Sequence, residues 1–123
     1  NGGIMELKIF EINQQKIAEI NSEKIVINDV QEALDLMADA GYYEARCIIL
    51  SEMNLKPEFF ELRTGMAVEI LRKFSQYNVK LAIIGEFEKY QSKSLKAFIV
   101  ESNRGNQIFF VPDRDTATAR LSG

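Results

Sequence analysis

"ARCIILSEMNLKPEFFELRTGMAVEILRKFSQYNVKLAIIGEF", residues 45–87, holds the reading on which the fold turns. It opens with "ARCIILSE" (45–52), a short, nearly continuous apolar run of the kind that forms a central strand covered on both faces. A second such run, "VKLAIIGEF" (79–87), closes it. Between them, residues 57–77 set Phe60, Ala67, Ile70, Leu71 and Phe74 on one helical face. Strand, amphipathic helix and strand in that order demand parallel pairing, a right-handed crossover and a helix laid on the sheet.

The flanking sequence extends the pattern in both directions. "LKIFEI" (7–12) and "KIAEI" (16–20) alternate apolar and polar residues around a short polar break, which predicts a hairpin of half-buried strands. "KIVI" (24–27) either lengthens the second strand or leads into a helix. "NDVQEALDLMADAG" (28–41) then places Val30, Ala33, Leu34, Met37 and Ala38 on one helical face. Asn28 and Gln31 have the spacing of a capping box, and Gly41 suits a C-cap.

Toward the other end, residues 94–103 turn Leu95, Phe98 and Ile99 inward, with Gly105 as the stop. "NQIFFV" (106–111) is a further strand, and residues 116–121 form a short helix capped by Asp113 or Asp115. The expected class is therefore α/β: a mixed, mainly parallel sheet of about five strands with about four helices, in the order ββαβαβαβα. Residues 5–123 read as one domain, and residues 1–4 as a cloning remnant ahead of a natural start at Met5.

Composition narrows the chemistry. A length of 123 residues suits one domain, and 46% hydrophobic with 27% charged residues is ordinary for a soluble globular chain. A net charge of −3 argues against a general nucleic-acid binder. The single cysteine, Cys47, cannot form an internal disulfide, which points to a reducing, cytoplasmic setting. Lying within an apolar strand, it reads as a buried, inert thiol. Histidine is absent, which removes the Ser-His and Cys-His nucleophile pairs, the usual zinc sites and the usual neutral-pH proton shuttle. Gly85 and Gly105 belong to no nucleotide-binding loop, and no apolar run is long enough to cross a membrane. The expectation is a protein that is not an enzyme, with no metal, cofactor, nucleic-acid or membrane partner.

Functional groups on a parallel-stranded sheet usually lie beyond the C-terminal ends of its strands. Three segments fall there: "SEMNLKPEFFELRTG" (51–65), "GEFEKYQSKS" (85–94) and "VPDRD" (111–115). In the first, Thr64 and Gly65 either cap a helix that begins there, or Gly65 merely permits close packing in a helix running from Pro57. A phosphate on a capping Thr64 would meet free backbone N–H groups at the positive end of a helix. In the second, Lys89, Tyr90, Ser92, Lys93 and Ser94 suit an anion, or Ser92 simply caps the next helix. Glu52, Glu58 and Glu61, like Asp113 and Asp115, lie in polar stretches and read as solvated surface. The pairs Tyr42–Tyr43 and Phe59–Phe60 either form an exposed aromatic contact patch or, the favoured reading, pack one ring inward while the other partly covers a neighbouring helix.

"RTGMAVEILRKF" (63–74) resembles the serine-serine-glycine-leucine-glycine-valine helix start of STAS domains, the anti-sigma-factor antagonists. "VKLAIIGEFEKYQSKSLKAFIVESNRGNQIFFVPDRDTATARL" (79–121) follows the closing segment of those domains. A closer resemblance, from end to end, is to the small bacterial domain of unknown function 4180 family. It rests on "INDVQEALDL", "FFELRTG", "KLAIIGEF" and "SKSLKAFIVESN". That family brings no established activity.

The STAS resemblance implies a non-enzymatic switch, phosphorylated by a kinase partner on the hydroxyl just before the glycine, which is Thr64 here. This chain departs from the pattern at Leu62, where the antagonists carry an acid, and at Arg63, which replaces a serine. An arginine there could stabilise an adjacent phosphate. Two readings follow. The first is a regulatory or binding module that contacts a protein partner around Arg63, Thr64 and Gly65. The second is a small-ligand or anion-binding domain using Lys89, Tyr90, Ser92 and Lys93. The exposed edges of an open sheet also allow a homodimer.

Overall fold

The computed structural model describes residues 6–123; the reading of residues 1–4 as a remnant ahead of Met5 lies outside them. Strands β1 (Glu6–Ile12) and β2 (Gln15–Asn21) form the expected antiparallel hairpin, in register from Glu6 opposite Asn21 to Ile12 opposite Gln15. Asn13 and Gln14 turn it with φ of 51° and 68°. Two successive positive values are what a two-residue primed turn requires, and asparagine tolerates that region better than most residues. Strands β3 (Cys47–Ser51), β4 (Lys80–Ile84) and β5 (Ile108–Val111) then add in parallel, giving one sheet in the order β1-β2-β3-β4-β5.

Helices α1 (Val30–Tyr42), α2 (Met66–Gln76) and α3 (Lys93–Arg104) are the crossovers, and α4 (Arg114–Ser122) closes the chain. The elements follow the order expected from sequence. The period-two alternation of β3 divides the core: Ile48 and Leu50 face the three crossover helices, whereas Cys47 and Ile49 face Ala117 and Leu121 of α4. Arg114 fastens α4 across the second face, 2.9 Å from Glu19 on β2 and over the ring of Phe10.

Several local expectations are corrected. Helix α1 is capped by Asp29, whose carboxylate accepts from the Glu32 N–H at 2.9 Å, and not by Asn28 with Gln31. The motif is shifted by one residue because Asp29 takes the extended backbone of a cap. Glu32 then reaches back to the Asn28 N–H at 2.7 Å. Gly41 lies inside the helix, with Tyr43 as C-cap, and the buried face is Ala33, Leu36, Met37 and Ala40; Ala38 is exposed and Leu34 half-buried. Residues 24–27 do not extend β2 but lead toward α1, and Ile27 makes an isolated parallel bridge to Leu55. Residues 57–65 are not helix but short 3-10 turns (Pro57–Phe60, Leu62–Thr64), preceded by another at Glu52–Asn54. The outer edge of β5 is partly closed: Asn103 takes both the N–H and the C=O of Phe110, at 2.8 and 3.0 Å. That makes this edge a poor template for pairing with another chain.

Asn54 is fully buried and polar. Its side-chain amide donates to the carbonyls of Ser22 (2.9 Å) and Lys24 (2.7 Å) and accepts from the Ser51 N–H (2.8 Å). Its own carbonyl accepts from Val26 and Ile27. One side chain thus sews the β2–α1 connection to the end of β3. Asn54→Ala removes three part-buried hydrogen bonds, each worth about 1 kcal/mol. We expect a loss of about 3 kcal/mol in urea denaturation with an unchanged slope; a much smaller loss would show water replacing the amide.

Candidate functional site

The long connection after β3 and the shorter one after β4 meet at the C-terminal ends of their strands. Glu52, the first residue past β3, is the pivot. It looked from sequence like solvated surface, yet its side chain is only 15% exposed. One carboxylate oxygen, Oε2, accepts the Tyr90 hydroxyl and lies 2.8 Å from Lys89 Nζ. The other, Oε1, has a longer contact, 3.4 Å, from the Glu86 N–H. Lys89 Nζ also stands 5.5 Å from the centre of the Tyr90 ring.

Aromatic packing sets this arrangement. The Tyr90 ring stacks on Phe60 at 5.2 Å, and Phe60 touches Phe59 and Phe87. Phe87 meets Phe110 of β5 edge-on. Phe59 and Phe60 are both buried in the core, so both rings of that pair pack inward. Burial, with the Glu52 hydrogen bond and charge added, raises the Tyr90 phenol well above its ordinary range.

Open clefts flank this knot. One of about 480 Å³ runs past Ile25, Met53, Phe60, Ile84, Glu86 and the Glu52–Lys89–Tyr90 cluster. Another, of about 760 Å³, lies across the Phe87–Lys89 turn and is bounded by Lys96, Val100 and Pro112. A third, of about 550 Å³, joins Arg63 and Leu62 to Ser92 and Ser94. Ile25 and Met53 are exposed apolar residues at the rim of the first.

The residues singled out from sequence divide accordingly. Lys89 and Tyr90 enter the cluster. Ser92 caps α3, accepting from the Leu95 N–H at 3.2 Å, and Lys93 is exposed on the first turn of that helix. With Lys89 held by Glu52 and Ser92 occupied as a cap, these four side chains do not converge on an anion. Thr64 is exposed, but the N-cap of α2 is Gly65, at a left-handed φ of 78°. The Thr64 hydroxyl lies 2.9 Å from the Glu58 carbonyl and 2.8 Å from that of Glu61, so its one proton serves the turn. Arg63 is almost fully exposed, 3.8 Å from Glu61.

Asp113 caps α4 through the Thr116 N–H, which holds its carboxyl below the usual range; Asp115 is exposed. Cys47 is buried, and burial pushes its thiol up. Among the described residues, no three His, Cys, Asp or Glu side chains stand close enough to share a metal ion.

At the other end of the sheet, Tyr42 and Tyr43 are both exposed and pack edge-on, so of the two expectations the inward ring fails and the exposed pair holds; Tyr77 is exposed as well. A cleft of about 600 Å³ there is lined by Arg46 and Glu44, both exposed. It holds no buried polar side chain.

Glu52 was read from sequence as solvated surface because its burial depends on partners more than thirty residues away. One trace of it was present: Gly85 had no assigned role. A Cβ at Gly85 would sit 2.6 Å from Glu52 Oε1 and 2.8 Å from its Cβ, so the glycine makes room for the acid. Gly85→Ala should cost roughly 1–3 kcal/mol by overpacking. Gly41→Ala, with nothing within 4 Å of the new Cβ and a helical backbone, should instead gain about 0.5–1 kcal/mol. Equal effects in thermal melts would refute the crowding argument.

Tyr90 allows a direct check. Its phenol should keep its proton past its ordinary value of 10.0, so absorbance at 295 nm, compared with Tyr90→Phe, should show the missing ionisation only above that range. The stabilisation linked to that proton is complete below pH 10.0 and is lost as pH rises through the raised value. A difference spectrum developing at or below pH 10.0 would contradict the buried hydrogen bond.

A family model described as Domain of unknown function (DUF4180) matches residues 12–121. No curated protein and no solved structure gives a match.

Proposed function

We propose, for a chain that belongs to the DUF4180 family, a non-enzymatic binding module that receives a protein partner at the loop end of its sheet. The observation that carries this reading is the mostly buried carboxylate of Glu52, set between open clefts where the parallel strands end. Ligands of open α/β sheets favour that position. The apolar rim of Ile25 and Met53 supplies surface for a partner to cover.

The hairpin-first strand order, with three crossover helices on one face, supports a STAS-like fold and a regulatory role. Phosphorylation at Thr64 is the less supported version of that role. Its hydroxyl would first have to leave the Glu58 and Glu61 carbonyls, and a phosphate would arrive beside two glutamates. A cytoplasmic setting rests on the lone, buried Cys47. Among the described residues, no helix is long and apolar enough to cross a membrane. A homodimer, if it forms through strand pairing, would use β1 more readily than β5, where Asn103 blocks the edge.

Photo-crosslinking in cells of the native host tests the proposal, with the reactive residue placed at Met53, Tyr42 or Val68. One protein should be captured from Met53, and its yield should fall several-fold when Gly85→Ala is added. Capture from Tyr42 or Val68 alone, or from none, would overturn the assignment of this surface. Phosphate mapping of the same samples, with and without ATP, reports separately on Thr64.

A further inference from the structure

Lys89 occupies the Glu52 cleft without being built into it. Its side chain is 57% exposed and springs from a three-residue turn, whereas the acid it contacts is 15% exposed. The lysine can leave by changing rotamer; the carboxylate cannot follow it into water. What would remain is a negative oxygen still accepting the Tyr90 hydroxyl, a second oxygen with a long contact, the Tyr90 ring over which the lysine now lies, and an apolar wall formed by Phe60, Ile84 and Leu55. A carboxylate, an aromatic face and an apolar channel together recognise an ammonium carried on an alkyl stem.

We propose that Lys89 is an internal placeholder in a seat for a lysine side chain of the partner protein, which displaces it on binding. The inference rests on the reading of this surface as a partner-binding site and names the chemistry of the partner. The charge around the cleft favours a basic segment, since Glu86 lines it and Glu88 is exposed on the adjoining turn. A peptide segment is favoured over a free amine because Ile25 and Met53 at the rim offer apolar surface that a small amine would leave uncovered.

The exchange has a simple energetic form. Wild-type protein must give up an ion pair before accepting the new one, so its apparent affinity is reduced by the fraction of molecules in which Lys89 has swung out. Removing Lys89 removes that competition. Because the native pair is partly exposed, the gain should be modest, about five-fold.

The test is an NMR titration of the ¹⁵N-labelled full chain with three probes: acetyl-Leu-Lys-Leu-amide, the same peptide with norleucine for lysine, and n-butylammonium. The proteins are wild type, Lys89→Ala, Lys89→Gln and Lys89→Ala combined with Glu52→Gln. The lysine peptide should move the amide signals of Glu52, Glu86 and Tyr90. It should bind Lys89→Ala and Lys89→Gln about five-fold more tightly than wild type and lose that gain in the double variant. Equal binding by wild type and both lysine variants overturns the placeholder. If the norleucine peptide binds as well, the surface stands as a binding site but the ammonium seat is refuted. If n-butylammonium binds as tightly as the peptide, the seat stands and the protein partner is refuted. Absence of any shift at these amides in all the proteins refutes the seat, while the crosslinking result at Met53 still decides the broader reading.

Discussion

The buried side-chain amide of Asn54 is the constraint on which the working end of the molecule depends. Parallel strands leave their connections to be organised separately, since each crossover departs from one strand and must return to the start of the next. After β2 the chain runs through residues 22–28 outside any strand or helix, with backbone bonds around the isolated Ile27–Leu55 bridge holding its far end. Asn54 supplies what secondary structure does not, meeting two carbonyls of that loop and one N–H of its own turn. A buried amide with one partner missing would cost more than it returned. With every bond made it fixes Glu52, two residues earlier, at the mouth of the sheet.

Most of the layered fold was legible from periodicity alone. Alternation found the hairpin, continuous apolar runs found β3, β4 and β5, helical spacing found α1, α2 and α3, and a capping aspartate marked α4. These features depend on which faces are buried, a property written into the order of apolar residues. Connections were harder to read. Residues 57–65 resemble the start of a helix because Pro57 and Phe60 suit one, but the Gly65 backbone is left-handed and ends any continuous helix there. The cap of α1 was displaced by one residue for a similar reason. Asn28 and Asp29 are equally good capping types, and only backbone geometry decides between them.

The candidate site was half legible. Lys89 and Tyr90 stood out as a lysine and an aromatic in a loop beyond a strand. Glu52 could not be separated from Glu58 and Glu61, because burial of a charged residue is a tertiary fact. The acid is covered by Tyr90 and by a close approach to Gly85, both on the next connection. Thr64 was conspicuous for a different reason: a hydroxyl before a glycine is a motif in its own right. The structure gives that hydroxyl a local task, closing the turn that leads into α2.

The position of Glu52 argues against stability as its reason for being acidic. A mostly buried carboxylate loses hydration that a partly exposed lysine and a phenol return only in part, and apolar or amide side chains of similar size commonly hold such sites as well or better. The surroundings already favour such a replacement, with Phe60, Ile84 and Leu55 on one side. Gly85 adds to the cost, because a glycine is needed there to leave room for the glutamate. Gly85 and Tyr90, both on the connection after β4, thus accommodate one charge at the mouth of the sheet. A charge maintained there at some cost in stability is most useful if an opposite charge arrives from outside, and the clefts leave the way open for it.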